Sequence, residues 1–261
     1  MSTRGTPTGR PRRSSSTSRP RRTSTPTRTA GTTEPLSGTD AAVGPQPSAA
    51  ASRTEPSRSL EVERTYDVED DTALPDWTAL PGVAAVGDAE VRQLDARYLD
   101  TEDLALARAR VALRRREGGP DAGWHVKISA ADGRHEWHWP LDAAPAPGDD
   151  GVVAVPEDVV GAVARWAAGP FLPLARIRNR RTAYALRDAD GALVAEVVDD
   201  RVTAVAERRG TQTSWREWEV ELGPAAPADT AAFFAAVDDA VRSVGGEPAA
   251  SDSKLGRAIS G

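Results

Sequence analysis

Two carboxylates, Glu61 and Glu63, lie two residues apart in the stretch Leu60-Glu61-Val62-Glu63-Arg64-Thr65-Tyr66. Read as a strand, this stretch puts Glu61, Glu63 and Thr65 on one face and Val62, Arg64 and Tyr66 on the other. Carboxylates roughly 7 Å apart on one face can grip a hard divalent cation. A half-buried strand with its acids in water gives the same pattern, so the rest of the chain decides. Residues 111–116 place Arg114 and Arg116 on one face, 124–128 add Lys127, and 134–139 set Arg134, Glu136 and His138 together. Glu196 and Asp200 share a parity in 193–205. In 213–222 Glu217, Glu219 and Glu221 alternate with Trp218, Val220 and Leu222. The arginine-dense stretch 174–187 has two parities, with Arg176, Arg178 and Arg180 on one face and Asn179 and Arg181 on the other. Arg and Lys hold phosphate oxygens through charge-assisted hydrogen bonds, and carboxylates hold Mg²⁺ or Mn²⁺. Both sets together point to a polyphosphate carried with a divalent metal. His125, His135 and His138 lack metal-ligand spacing and read as strand residues, and the tryptophans beside them as packing residues.

The elements that must position these groups are mostly strands. Alternation marks 60–66, 90–99, 111–116, 124–128, 134–139, 174–187, 193–205 and 213–222, with turns at Gly118-Gly119-Pro120, Asp190-Gly191 and Arg209-Gly210-Thr211. Helical patterns cover 74–80, 104–107 (capped by Thr101), 156–168 and 230–244, and 140–155 reads as a loop. The fold class expected is mainly β with flanking helices (α+β), and about eight hairpin-linked antiparallel strands favour a closed β-barrel. Helices with one apolar face belong outside it and the charges inside, where a small barrel with a polar interior holds a ligand. A sandwich with a salt-bridged outer face satisfies the same alternation.

The chain has 261 residues and a net charge of −6, unevenly spread. Residues 1–58 are Ser, Thr, Pro, Gly, Ala and Arg, with ten arginines against Glu34, Asp40 and Glu55. That segment holds +7, so the rest holds −13. It has too few apolar side chains to offset the entropy of ordering and reads as a disordered tail before a domain at 59–261. Its charge suits weak contact with nucleic acid or an anionic surface, and equally a solvated linker. It resembles a transit peptide in composition, but Pro7, Pro11, Pro20 and Pro26 oppose the helix such a peptide needs. There is no cysteine, hence no disulfide or thiolate chemistry, and no apolar run suited to a signal peptide or membrane span. A cytoplasmic location is expected. Of 33 basic residues only Lys127 and Lys254 are lysines. In so arginine-rich a chain those two read as positions that need an ammonium.

In this order the motifs resemble those of the CYTH superfamily, the triphosphate tunnel metalloenzymes. Residues 60–66 resemble its opening Glu-x-Glu-x-Lys strand, and Arg97 to Thr101 its Tyr-Asp-Thr turn. Residues 113–117 with Trp124 to Lys127 resemble its Arg-x-Arg hairpin and lysine. Arg180 to Tyr184 resemble its later arginine strand, and Glu196, Asp200 and residues 217–222 its paired acidic strands. Ser253-Lys254-Leu255 resembles its terminal lysine motif. The match runs over roughly 60–260. Versions in actinobacteria are often fused to a CHAD domain, so the resemblance implies either a stand-alone domain or part of a longer chain.

The resemblance implies a closed eight-stranded antiparallel barrel whose bore binds a triphosphate with Mg²⁺ or Mn²⁺. Carried over, it assigns catalytic roles to Lys127 and Arg181 and phosphate contacts to Arg114, Arg116, Lys127, Arg134, Arg181 and Lys254. Glu61, Glu63, Asp200, Glu219 and Glu221 become metal ligands, with Glu136, Glu196, Glu217 and Arg178 as further candidates. Arg181, the residue the motif matches, is expected to face inward. The activity implied is metal-dependent hydrolysis of a triphosphate, inorganic triphosphate first. The alternatives are a class IV-type adenylyl cyclase, a thiamine-triphosphatase, and a polyphosphate- or nucleotide-binding module with little turnover. The last gains weight because Thr65 stands where the motif has lysine, and a hydroxyl cannot neutralise phosphate charge.

Overall fold

Hairpin-linked strands make up most of the computed structural model, which describes residues 55–131, 133–141, 154–251 and 253–260. The expected tail up to residue 54 and most of the expected loop, 142–153, lie outside the described residues. The strands are β1 (Ser57–Glu61), β2 (Glu63–Val68), β3 (Ala85–Val86), β4 (Glu90–Asp100), β5 (Val111–Glu117), β6 (Gly123–Ala130), β7 (Gly133–Pro140), β8 (Leu172–Arg187), β9 (Leu193–Ala206), β10 (Thr211–Leu222) and β11 (Glu247–Pro248). The helices are α1 (Ala105–Arg108), α2 (Glu157–Val163), α3 (Thr230–Ser243) and α4 (Lys254–Ser260).

Every pairing is antiparallel, in the order β1-β7-β6-β5-β4-β8-β9-β10-β2-β11, with β3 on β8. All eight expected strands are present. Eleven are counted because the first splits at Val62 and two short pairs, β3 and β11, add to the margins. The split has a consequence. Glu61 pairs with Arg134 on β7, while Glu63 pairs with Glu221 on β10, so neighbouring residues of one segment serve opposite ends of the strand order. The sheet is therefore curled. β1 begins at Ser57, two residues ahead of the domain start expected at 59.

Two helices cover the outer face. α3 starts at Asp229, whose carboxylate accepts from the Ala232 amide at 2.9 Å, and is followed by Gly245 at φ 91°. Its stripe Phe233, Phe234, Val237 and Val241 packs on Tyr66, Trp218 and Val220. Outside β5–β7, α2 supplies Val159 and Val163 against Leu113, Val126, Trp124 and Trp139. α2 ends five residues before the expected 168; the β-branched Val159, Val160 and Val163 with Gly161 make a poor helix. The expected helix at 74–80 is a single 3-10 turn, Trp77–Ala79, capped by Asp76. The Asp100-Thr101 turn starts α1: Asp100 accepts from the Leu106 and Ala107 amides and Thr101 from Ala105, each at 2.9 Å.

α4 departs from the expectation that helices lie outside. Its Leu255 and Ala258 pack on Ala96, Tyr98, Ile177, Val202 and Ala204. Ala96, Tyr98 and Ile177 line the central cavity, so α4 sits against the inner face and carries Lys254 with it.

Candidate functional site

The concave face encloses a cavity of about 350 Å³. Strand parity decides what reaches it. Arg114 and Arg116 enter from β5, Lys127 from β6, Arg134 from β7, Arg181 from β8, Glu196 from β9, and Glu219 and Glu221 from β10. Glu61 and Glu63 enter from the split segment and Lys254 from α4. Glu136, Asp200 and Glu217 lie just behind this surface, each at most 8% exposed. Of the residues singled out in the sequence only Arg178 faces away: its side chain is 58% exposed and pairs with Asp95 on the outer wall. The even parity it shares with Arg176 and Arg180 explains this, and Arg181 takes the inward position.

Cations and acids interleave. Lys127 Nζ donates to Glu61 Oε2 at 2.6 Å and lies 3.5 Å from Glu136. Arg134 pairs with Glu63, and Arg92 with Glu196 at 3.0 Å. Arg181 holds Asp200 through two bonds and Glu219 through a third at 2.7 Å. Lys254 Nζ sits among Glu217, Glu219 and Asp200 at 2.5, 2.5 and 3.0 Å. Those three acids form the carboxylate group, among the described residues, whose oxygens converge within 4.8 Å. The lysine stands where a metal ion among them would stand.

The charges are not balanced locally. Burial, then the charges of Arg114 and Arg181, push Arg116 down to about 9. At the other end burial raises Glu63, and burial followed by the hydrogen bond to Glu136 raises Glu61. Burial and the nearby Glu61 and Glu63 push Glu221 up to about 7, and unlike those two its side chain has no cation partner among the described residues. Against burial, the hydrogen bond from Glu61 and the charges of Lys127 and Arg114 draw Glu136 down to about 2. Lys254 is held well above its usual range by Glu219, Asp200 and Glu217, although burial opposes this.

Several cavity residues escaped the sequence reading. Arg92, Tyr98 and Asn179 line the wall, and the Tyr98 hydroxyl accepts from Arg114 at 3.2 Å. The parity of Arg92, Leu94, Ala96 and Tyr98 was visible, but that face of β4 is mostly apolar and carried no chemical signal. His125 is more than a plain strand residue: it is 1% exposed, 2.5 Å from Glu136 through Nδ1, and stacked on His138 at 4.7 Å.

A family model described as the CYTH domain matches residues 59–251. Two uncharacterized proteins of Mycobacterium tuberculosis, from strains CDC 1551 and H37Rv, are each 37% identical over 215 residues, covering 78% of this chain and 41% of theirs. The chain thus spans about two fifths of the length of the curated relatives it matches. A crystal structure of a candidate adenylate cyclase from Bacillus halodurans aligns with TM-score 0.51 at 14% identity, covering 77% of this chain and 97% of that one. A candidate adenylyl cyclase from Hippeastrum, described as revealing a dominant triphosphatase activity, aligns with TM-score 0.47 at 16% identity over 77% of this chain and 96% of that one. At 14% identity the likeness to the Bacillus halodurans structure is one of fold.

Proposed function

The chain belongs to the CYTH domain family, and on that premise we propose that its cavity binds a triphosphate together with a divalent metal and hydrolyses the terminal phosphoanhydride, inorganic triphosphate being the favoured substrate. One observation carries this reading: a single cavity is lined by Arg114, Arg116 and Arg181 on the β5 and β8 side and by Glu61, Glu63 and Glu221 where β1, β2 and β10 meet. A linear polyanion suits the first set and a divalent cation the second. In this reading the curled sheet is a closed eight-stranded barrel, joined through residues 57–68.

Arg114, Arg116, Lys127 and Arg181 hold the phosphate chain and neutralise charge on its oxygens. Lys127 and Arg181 are placed to stabilise charge that grows on the phosphorus being attacked. Arg134 and Lys254 close the two ends of this cation row. Glu61, Glu63 and Glu221 fit Mg²⁺ or Mn²⁺: they are oxygen donors, the first two close enough to raise the Glu221 carboxyl, whose side chain forms no hydrogen bond or ion pair among the described residues. Asp200, Glu217 and Glu219 serve first as the counter-charge of Lys254 and Arg181. Glu219, whose charge acts on Glu63, joins the two acid groups. When bound, the metal neutralises phosphate oxygens and lowers the pKa of a bound water. Phosphate release from inorganic triphosphate, ATP and thiamine triphosphate, with Mg²⁺ or Mn²⁺, tests the proposal. No release and no binding for any of the three would overturn it. Binding without release would favour the binding-module reading that Thr65 raises.

A further inference from the structure

Behind the cation row lies an arrangement whose central residue, His125, does not line the cavity. His125 is buried on β6, with its two ring nitrogens facing two acceptors. Nδ1 is 2.5 Å from Oε1 of Glu136, and Nε2 is 3.0 Å from the main-chain carbonyl of Asp121. A carbonyl only accepts, so Nε2 carries a hydrogen, and the contact between Nδ1 and Glu136 needs one further hydrogen, carried by the ring or by the carboxyl. His138 on β7 stacks on the ring at 4.7 Å and 29°, and its Nε2 reaches the next carbonyl, that of Ala122, at 3.4 Å. Gly123 permits this approach: a Cβ there would lie 2.3 Å from His138 Nε2.

Both ends of the His125 bridge lead to the cavity. Glu136 lies 3.5 Å from Lys127 and 3.7 Å from Arg114. Asp121 is the ion-pair partner of Arg116. An acid between Lys127 and Arg114 has several cations to turn toward, and Asp121 sits in a hairpin loop next to Gly118 and Gly119 at positive φ. Neither would keep one orientation unaided.

We infer that His125 is a positioning residue: by tying the Glu136 carboxylate to the Asp121 carbonyl, it fixes Lys127, Arg114 and Arg116 in register with one another as a phosphate-binding set. This rests on the reading of the cavity as a phosphate site. His125 contacts no substrate in this role.

Three substitutions separate the two arms. His125→Phe keeps the ring and the stack but loses both hydrogen bonds. His125→Asn retains a donor near the Nδ1 position, and His125→Gln one near Nε2. Steady-state hydrolysis of inorganic triphosphate with Mg²⁺ is measured on all three, with binding by calorimetry and the melting temperature alongside. The expected result for Phe is a KM raised about ten- to hundredfold, the range for loss of a group that orients a ligating side chain, with kcat lowered as well because Lys127 is among the cations released. Asn and Gln each keep one arm of the bridge, so each should recover part of that loss and neither most of it. Unchanged KM in Phe, or full recovery by either Asn or Gln, overturns the inference. If Phe does not fold, Asn and Gln decide alone. If the wild-type protein neither binds nor hydrolyses triphosphate, the cavity reading fails instead. The bridge is then read from nitrogen-15 NMR of the wild-type imidazole and of Glu136→Gln. A protonated Nε2 in both, with an Nδ1 signal that moves on substitution, supports it, and an Nδ1 signal indifferent to Glu136 overturns it.

Discussion

Arg181 grips Asp200 with two parallel bonds, Nε to Oδ1 at 2.9 Å and Nη2 to Oδ2 at 2.7 Å. Asp200 is fully buried, and Lys254 is its second cation, at 3.0 Å. Its two oxygens are thus committed, and both cations depend on it. Removing one member of a buried ion cluster leaves uncompensated charge, which costs about 3–5 kcal/mol. Asp200→Asn is therefore expected to lower unfolding free energy by a few kcal/mol in urea titration. The magnesium concentration needed for binding should change little, and a large rise with stability intact would make Asp200 a ligand rather than a counter-charge.

Glu221 is the opposite case, an acid whose side chain has no ion-pair partner among the described residues. Glu221→Gln and Glu61→Gln should raise the Mg²⁺ or Mn²⁺ concentration that half-saturates the protein, read by calorimetry at fixed triphosphate. Arg116→Ala should leave that concentration near wild type and weaken triphosphate binding by about 1.5–3 kcal/mol, the usual value of a charged hydrogen bond. Exchanged phenotypes would invert the two walls of the cavity.

Crowded acids also set a pH dependence. Glu221 is raised from 4.5 to about 7 in the fold, by burial and by Glu61 and Glu63, which are themselves raised. A raised carboxyl favours the folded state below its unfolded pKa and loses that contribution as pH climbs through the folded value. A displacement of this size is worth roughly 3 kcal/mol. Glu219 and Glu136 are lowered and act in the opposite sense, but only on the acid side of 4.5. Metal-free protein should therefore melt at a lower temperature as pH rises from about 5 to about 8. Mg²⁺ should restore most of the loss, and more at the alkaline end. A melting temperature flat across that range in EDTA would contradict the crowding.

The strands and their facing were legible because charge alternated with Val, Leu and Trp at a period of two, a pattern that burial on one side enforces. Arg181 rather than Arg178 inside came from the motif, since the parity of β8 was ambiguous by itself. What stayed hidden depends on contacts distant in sequence. The bridge from Glu136 through His125 to Asp121 leaves no periodic trace. Nor does the seating of α4 on Ile177 and Val202, since Leu255 and Ala258 are too few to declare an inner face. The grouping of acids was also out of reach: alternation put Glu217, Glu219 and Glu221 on one face but could not say that Lys254 claims the first two.

Truncation bears on the amino-terminal segment. Ser57 to Glu61 pair with β7, so a cut at 58 removes the start of β1. Deleting residues 1–54 is expected to leave the melting temperature within a few degrees of the full chain, whereas deleting 1–61 should destabilise the sheet margin strongly. Differential scanning fluorimetry of the two chains checks this, and a large loss from the shorter deletion would assign the segment a packing role.

Thr65 carries the last prediction. It pairs with Glu219 across β2 and β10, and with Glu63 and Arg134 it lines a second opening of about 380 Å³ beside the acid wall. Two neighbours that could supply the missing motif charge are turned elsewhere. Arg64 borders the same opening but is paired with Asp238 and stacked over Phe234 at 4.8 Å; Arg257 pairs with Asp67 and stacks over Trp215 at 4.8 Å. The phosphate end nearest Thr65 is then served by Arg134, which is already engaged by Glu63. A lysine at 65 would add one cation where the low-dielectric wall magnifies each charge, and the opening beside it has room for the longer side chain. Thr65→Lys is expected to tighten inorganic triphosphate binding by about 1–3 kcal/mol, with kcat equal to or above wild type. If the new ammonium instead pairs with Glu63 or Glu219, it will compete with the metal, and the Mg²⁺ requirement will rise while affinity stays flat. Calorimetry at two Mg²⁺ concentrations separates these outcomes, and a weaker affinity at both would mean that Arg134 already meets the charge the phosphate chain needs.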